Sequence, residues 1–535
     1  ILEPNSTVVH SGSGTVGGVG NDVFGNLVIQ RAEGCTPATN LLIQGNLIIN
    51  NSANNVVFRG ARPPTTGSQT HTVLGDVHVL KGILSCIDVG DNAMSCIWNI
   101  EGSVYVTDAG NNRDARIGPF SSANASGLGI FNIGGDLIIN GGRLQAGTSS
   151  TSGPGTGIIN LSGNLVLSST SAVATNCLGP FALNFVGNGI QTVSSQIHFS
   201  MGTNVYDTIN VGSSVVFDLD TCYWRSTTGG DFLVNGSLEM KTMSRLMGAG
   251  SFTLNTGSTL KIGSPDGISL ADTLGNIRVA GTRTFSEDAN YEYKSNVPQI
   301  FGDGLPTTVN GFAVNNPNGF SLSGNMNVNG SLSMMNGDLD LNGNTITLGS
   351  NASLTETAGN TVKGSTGKLI TTSDLNAPSG VNVGGLGSVI TSSANLGSTT
   401  VERYHYTPSG GGAQGISRVY NLIPTNNTNL NATLKLNYDE SELNGIDEIK
   451  LGLYKSAGGS DNTWAELGGS VNTSQNSVEL SGINDFAYFT LGDVDSPLPV
   501  EDENESLPQS FSISQNFPNP FNPSTVIKYQ VPENT

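Results

Sequence analysis

The chain has 535 residues, of which 71 are glycine and only 12% are charged, and its formal net charge is −20 at pH 7. Strong helix formers are scarce and short runs of Val, Ile and Leu recur, so the composition disfavours a helical bundle and a disordered chain. The acidic excess disfavours binding to nucleic acid or to an anionic membrane, and no apolar run is long enough to span a bilayer. We expect an all-β protein of short strands separated by glycine and asparagine turns.

A glycine-led phrase recurs through the first part of the chain: Gly, then Asn, Asp or Ser, then two apolar residues separated by one position. The copies begin at Gly25, Gly45, Gly75, Gly102, Gly135 and Gly163. Strand-like phrases repeated every 20–50 residues or so are typical of solenoids. We expect the glycine and the polar residue to supply a left-handed backbone conformation at a corner. Residues of the following strand, such as Ile138 and Leu165, are expected to point inward.

This repeat predicts a right-handed parallel β-helix, a solenoid, over residues 1–399. Each coil would stack about 4.8 Å from the previous one, around a thin core of Val, Ile and Leu ladders. The alternative is a set of separate β-sandwiches, which the lack of regular Pro-rich linkers before residue 400 disfavours. Phrases at residues 251–268 and 281–285 resemble the glycine-rich β-helical repeats of large secreted bacterial proteins, which implies the same architecture.

The five cysteines are Cys35, Cys86, Cys96, Cys177 and Cys222. None forms a CxxC pair, so we predict neither a zinc site nor a redox site. Cys86 and Cys96 flank a turn-like segment at residues 88–92, and a disulfide between them is one hypothesis. The odd number leaves at least one thiol free or paired between chains.

Two carboxylate pairs are the candidates for chemistry: Asp218 with Asp220, and Asp338 with Asp340. Each pair lies on one side of a strand, where carboxylates can perform acid–base hydrolysis, bind calcium or simply face solvent. The solvated outer face is the preferred interpretation, so no cofactor is predicted, and calcium is the only alternative that we consider. No HExxH or GxSxG motif occurs, so no catalytic residue is predicted. Residues 404–406, Tyr-His-Tyr, form either a sugar platform or a packed junction.

Residues 400–492 differ from the preceding part. Alternating strands recur there every 10–15 residues or so with the aromatic residues that a sandwich core needs, which predicts a β-sandwich. Residues 493–508 contain proline and a run of acidic side chains, and we expect an extended, solvated linker.

The last part of the chain, residues 509–535, carries the most specific motif. Its residues are Asn516, Pro518, Asn519, Pro520, Phe521, Asn522 and Pro523, followed by a short alternating strand that contains Ile527 and Tyr529. From Gln515 to Glu533 the sequence resembles the start of the type A C-terminal sorting domain of the type IX secretion system. The family's domain is longer than this segment. The resemblance implies export by the type IX machinery to the surface of a Bacteroidota-like bacterium, and it implies that the region 400–492 is the β-sandwich that often precedes the sorting domain.

These features favour a non-enzymatic extracellular structural or adhesive protein, a subunit of a surface filament, sheath or fibre. Its partners would be copies of itself, joined when the apolar strand at residues 526–531 adds to a neighbour's sheet. The alternative function is a β-helix that binds or degrades polysaccharide.

Overall fold

The computed structural model describes residues 3, 5–17, 22–61, 67–87, 94–108, 110, 114–120, 127–148, 155–168, 172–176, 180–195, 207–212, 214–217, 223–226, 230–410, 413–496, 511–516, 520, 524, 526 and 529–530. Within these ranges the chain is almost entirely β, and its only helical elements are three short 3-10 helices: Val383–Gly385, Glu440–Glu442 and Glu448–Lys450. No helix in the described ranges has the length and apolar character needed to cross a membrane. The predicted all-β class is confirmed.

A long parallel sheet runs through the first two thirds of the chain, and each of its strands pairs with the strand one coil later. Its strands are Thr7–His10, Asn26–Ile29, Leu47–Asn50, Val77–Ile87, Val104–Thr107, Leu137–Asn140, Leu165–Leu167, Ile190–Ser195, Ser214–Phe217, Ser237–Met240, Thr259–Ile262, Asn290–Lys294, Thr308–Asn315, Met326–Asn336, Thr345–Leu348, Ser353–Glu356 and Lys368–Asn376.

A second parallel sheet alternates with the first along the chain. Its strands are Asp22–Phe24, Leu41–Ile43, Gly67–Val73, Met94–Ile100, Leu128–Ile133, Thr156–Leu161, Phe181–Phe185, Asp207–Val211, Asp231–Val234, Ser251–Leu254 and Arg283–Phe285.

A third set of parallel strands completes most coils, in three groups. The first group pairs with the latter half of Val77–Ile87 and contains Val57–Ala61, Ala115–Phe120, Arg143–Thr148 and Ala172–Asn176. The second contains Tyr223–Ser226, Arg245–Gly248 and Ile277–Val279, and the third contains Gln299–Ile300, Phe320–Ser321, Leu339–Asp340 and Val362–Lys363. These long parallel sheets are compatible with a β-helix, and we call residues 7–376 the parallel stack.

Apolar columns form the core of the parallel stack. Leu137 pairs with Val104 on one side and with Leu165 on the other, and all three side chains are buried. Leu165 therefore points inward as predicted. Ile138 was assigned to the wrong face: it pairs with the neighbouring coils on the outer side of the strand and is only half-buried. Three consecutive apolar residues, 137–139, give no alternation from which the phase can be read.

The glycines of the recurring phrase stand at equivalent corners of successive coils, as predicted, but the expected reason was wrong. None of the six has a positive φ. They are required because the coils approach too closely for a side chain. A Cβ on Gly102 or Gly163 would overlap the carbonyl group of the phrase glycine one coil earlier. The close approach, and not a left-handed backbone, selects glycine at these corners.

The polar residue that follows each of these glycines links one coil to the next. Its side-chain oxygen accepts a hydrogen bond from the backbone N–H at the same corner of the next coil, at 2.7–3.0 Å. The residues that accept are Asn26, Asn46, Asp76, Ser103, Asp136 and Asn164. Asn, Asp and Ser share an acceptor at this reach, which explains why these three types alternate there.

A second side-chain ladder follows the outer face of the second sheet. Each asparagine amide donates to the side-chain oxygen of the asparagine one coil earlier, at 2.7 Å in three steps and 3.1 Å in the last. The ladder contains Asn99, Asn132, Asn160, Asn184 and Asn210. These amides add side-chain pairing to the backbone pairing between coils.

The change from parallel to antiparallel pairing lies within the strand Lys368–Asn376. This strand pairs parallel with Thr345–Leu348 and antiparallel with Asn395–Tyr404. The pairing thus changes before residue 400, where we had placed the boundary. The strands between 376 and 400 alternate like solenoid strands, and alternation carries no information about the direction of the partner.

The C-terminal antiparallel region contains two sheets. One consists of Lys368–Asn376, Asn395–Tyr404, Ala413–Pro424, Tyr488–Asp493, Leu451–Ser456 and Ala465–Gly468, with Ser409–Gly410 at one end of Ala413–Pro424. The other consists of Val381–Asn382, Ser388–Thr391, Ala432–Asn437, Ser477–Ile483 and Ser470–Asn472. Apolar side chains of both sheets belong to one buried cluster.

Candidate functional site

The C-terminal motif is only partly described. Asn516, Pro520 and Tyr529 belong to the described residues, whereas Pro518, Asn519, Phe521, Asn522, Pro523 and Ile527 lie outside them, as does most of the predicted linker 493–508. The strand Tyr529–Gln530 pairs antiparallel with Ser512–Ile513. The C-terminal segment therefore has a partner strand within its own chain. Phe511, Ile513, Val526 and Tyr529 are 64–76% exposed, so this part of the chain presents apolar side chains to solvent.

Cys86 and Cys96 are neighbours, as the disulfide hypothesis requires, but they are free thiols in this structure. The two side chains are hydrogen-bonded to each other, and Cys86 Sγ also lies 3.5 Å from the carbonyl oxygen of Ile130. Burial raises the pKa of the Cys86 thiol. The disulfide stays a prediction for oxidising conditions. Cys177 and Cys222 lie outside the described residues.

Of the two carboxylate pairs, Asp218 and Asp220 lie outside the described residues. Asp338 accepts a hydrogen bond from the backbone N–H of Thr361 at 3.0 Å and forms an ion pair with Lys363 Nζ at 2.6 Å. Asp340 accepts from the backbone N–H of Asn342. In the part of the chain that the structure describes, no three His, Cys, Asp or Glu side chains are grouped to hold a metal ion.

Asp338 does, however, line a cleft where the parallel stack meets the antiparallel region. The cleft has a volume of about 630 Å³. Its lining is polar and includes Asp338, Lys363, His405, Tyr406, Ser417 and Glu442. We call it the junction cleft. The sequence had singled out residues 338 and 404–406 separately, and the fold brings Asp338, His405 and Tyr406 to the same cavity.

The two tyrosines of the predicted platform have different environments. Tyr404 donates its hydroxyl to Glu402 Oε2 at 2.8 Å and packs edge-on against Tyr406, with ring centroids 5.9 Å apart. Tyr406 lines the junction cleft and donates its hydroxyl to the carbonyl of Gly459 at 2.8 Å. That hydrogen bond fixes the Tyr406 ring at the wall of the cleft.

A buried ion-pair network lies beneath the cleft and joins the two parts of the chain. Glu356, on a strand of the parallel stack, accepts two hydrogen bonds from the Arg403 guanidinium at 2.7 and 2.8 Å. Arg418 lies 3.7 Å from Glu356 and 2.8 Å from Glu442. Burial alone would raise the pKa of Glu356, but the two guanidinium groups hold it well below its usual range. Both arginines are buried, so the charges compensate one another away from water.

His405 forms the floor of the cleft together with Glu442. Its Nδ1 lies 3.3 Å from Glu442 Oε1, and the side chain is only 1% exposed. Burial, aided by the positive charge of Arg403, lowers the pKa of His405 to about 4, so the ring is neutral at pH 7. Because Nδ1 faces the carboxylate, the tautomer with the proton on Nδ1 is favoured, which leaves Nε2 as an acceptor. Within the described part of the chain, neither ring nitrogen makes a hydrogen bond of good geometry.

Sequence reasoning missed four residues of this site: Glu356, Arg403, Arg418 and Glu442. They are separated by up to 86 positions and carry no common motif. A weak signal existed at Arg403 and Arg418, which occupy positions in strands where a charged side chain would have to be buried. Comparisons of the chain with protein-family models, with curated proteins and with solved structures found no match.

Proposed function

We propose that this chain is a non-enzymatic extracellular structural or adhesive protein that acts as a rigid spacer. One observation carries the proposal: pairing between coils is continuous from Thr7–His10 to Lys368–Asn376 and is reinforced by side-chain ladders at the corners and on the outer face. A stack of this kind keeps its length because each coil is held by the next. At about 4.8 Å per level, it forms a rod roughly 70 Å long.

The finer architecture that we infer is a right-handed parallel β-helix followed by a β-sandwich. The two antiparallel sheets with a shared apolar cluster support the sandwich. Residues 493–508 would be the linker and residues 509–535 the start of a type IX sorting domain. The motif that includes Asn516 and Pro520 supports that assignment, with export to the cell surface and the type IX machinery as a partner.

Self-assembly would use strand addition by the C-terminal segment. In a polymer the strand Tyr529–Gln530 would exchange its partner Ser512–Ile513 for a strand of a neighbouring copy. The exposed side chains of Val526 and Tyr529 support this segment as the donor, because strand addition would bury them.

Electron microscopy of material from the native cell surface tests this proposal. We expect regular filaments or sheaths built from rods of the stated length. Purified protein lacking residues 509–535 should fold and remain monomeric, because the donor strand is absent. Filaments that persist after this deletion would refute strand donation, and dispersed monomers on the native surface would refute a structural polymer.

The junction cleft supports a second candidate function, binding of polysaccharide or another glycan. Its volume of about 630 Å³ lies within the range of small-ligand sites, and an aromatic side chain and several polar groups converge on it.

A further inference from the structure

We propose that the junction cleft binds one uncharged saccharide unit, held between Asp338, His405 and Tyr406. The inference rests on the second candidate function, glycan binding at this cleft, and does not require the chain to form filaments, so it can fail while the structural proposal stands. It depends on the cleft's hydrogen-bonding groups, its charge balance and its rigidity, which are considered in turn.

The cleft offers hydrogen-bond acceptors to a ligand. His405 lines the cleft, and its buried Nε2 has no hydrogen-bond partner among the residues that the structure describes. The Asp338 carboxylate uses one contact to Thr361 and one to Lys363, which leaves lone pairs free on a side chain that is 27% exposed. A ligand that fits must therefore bring several O–H donors.

The charges around the cleft select against an ionised ligand. Asp338 is neutralised by Lys363, and Glu442 by Arg418, while His405 is neutral at pH 7. An anionic or cationic ligand would thus find no unpaired charge to offset its own desolvation. A polyhydroxylated, uncharged molecule loses less hydration free energy when it enters the cleft, and its hydroxyl groups can both donate and accept hydrogen bonds.

The walls are held in place before any ligand arrives. The Tyr406 ring is fixed by the hydrogen bond to Gly459 and by packing against the apolar cluster of Val419, Tyr454 and Trp464. The part of this side chain that lines the cleft gives a ligand an apolar contact beside the polar groups. Ser417 and Thr407 hydroxyls lie 2.7 Å apart, and Asn444 Oδ1 lies 3.2 Å from Ser417 Oγ. Such preorganisation reduces the entropy lost on binding. The combination of acceptors, a neutral lining and a fixed aromatic ring is the chemistry of a saccharide site.

Isothermal titration calorimetry and saturation-transfer NMR on the full chain test the proposal. The probes are methyl glucoside, methyl galactoside, methyl mannoside and N-acetylglucosamine, with galacturonate and glucosamine as charged counterparts. We expect at least one neutral probe to bind and the charged counterparts to bind about tenfold more weakly or worse. Absence of binding by all neutral probes, or a preference for the charged ones, would overturn the proposal.

Matched variants locate the site. Asp338→Asn keeps the hydrogen bond from Thr361 but removes the carboxylate charge, and His405→Phe keeps a ring but removes the acceptor. Each should weaken binding about tenfold, the consequence of losing one hydrogen bond to a buried or charged group. Asp340→Asn is the control, since Asp340 lies two residues away but does not line the cleft. The affinity of the Asp340→Asn variant for the saccharide probe should stay within about twofold of the wild-type value. Equal losses for Asp338→Asn and Asp340→Asn in folded protein would place binding elsewhere and refute the assignment.

Discussion

Replacing Glu356 by Gln tests whether the buried ion pairs hold the antiparallel region to the parallel stack. Gln has the same shape, so the change removes the charge and leaves the packing. Arg403, whose side chain is 0% exposed, would then keep only neutral acceptors such as the carbonyl of Leu386 at 3.2 Å. Removing one partner of a buried pair costs about 3–5 kcal/mol, because the other charge stays buried without compensation.

The exposed pair of Lys455 and Asp485 provides a matched control. Its N–O distance of 2.7 Å equals that of Arg403 and Glu356, but Asp485 is 57% exposed. Pairs in water contribute about 0–1 kcal/mol, so Asp485→Asn should be nearly neutral. The two pairs have equal N–O distances but differ in burial and in the number of hydrogen bonds, so the comparison tests whether the buried network is worth more than an exposed pair.

Urea denaturation followed by tryptophan fluorescence measures both effects. Trp464 is fully buried in the antiparallel region and Trp98 is fully buried in the parallel stack, and the third tryptophan, Trp224, also belongs to the stack. Trp98→Phe/Trp224→Phe and Trp224→Phe/Trp464→Phe backgrounds therefore report on each part separately. With Glu356→Gln, the Trp464 transition should move to lower urea than the Trp98 transition, because the contact between the parts is weakened. The proposed role of the network would be refuted if Glu356→Gln lowered the free energy of unfolding by less than about 1 kcal/mol, or by no more than Asp485→Asn does.

Three further predictions concern other parts of the molecule. The folded state keeps His405 neutral with a pKa of about 4 against 6.5 when unfolded, so the unfolded chain takes up the proton first. The free energy of unfolding should therefore fall by about 3 kcal/mol as the pH drops from 6.5 to 4, and His405→Phe should flatten this part of the profile measured by urea titration at each pH. Gly163→Ala should lower the thermal midpoint, because its Cβ would overlap the backbone of the previous coil, while Gly324→Ala, with open space around it, should leave the midpoint nearly unchanged. Oxidised glutathione should join Cys86 and Cys96 in one intramolecular disulfide, visible as the loss of two titratable thiols and a mass lower by two hydrogens; two glutathione adducts instead would show that the thiols cannot reach each other.

The parallel stack could be predicted from the sequence because the residues that determine it lie close together in the chain. A glycine, a polar acceptor and an alternating strand fall within five residues, and they recur in every copy from Gly25 to Gly163. The physical reason why glycine is required at these corners could not be predicted. It depends on the distance to a carbonyl one coil earlier, which is a property of the stack and not of the phrase. Both explanations require glycine, so the sequence pattern alone does not distinguish them.

The start of the antiparallel region could not be predicted for a related reason. The strand Asn395–Tyr404 has the alternation of a solenoid strand, but its partner runs in the opposite direction. Strand alternation records which side chains are buried and leaves the direction of the partner open. The direction depends on the connection through residues 377–394, which contains the strands Val381–Asn382 and Ser388–Thr391 of the other antiparallel sheet and returns the chain along the last strand of the stack.

The junction cleft could not be predicted, because it is formed by residues that are distant from one another in the sequence. The sequence offered Asp338 as a member of an acidic pair and His405 as a member of an aromatic triplet, and each interpretation considered only neighbours in the chain. Their shared cavity exists because Glu356, Arg403 and Arg418 fix two separately predicted regions against each other. Removing one partner of a buried pair leaves a charge without compensation, so the network holds the two parts in one relative position. The proposed role as a spacer requires only that the stack be rigid. The proposed saccharide site, by contrast, requires this fixed junction, because its lining residues come from both parts.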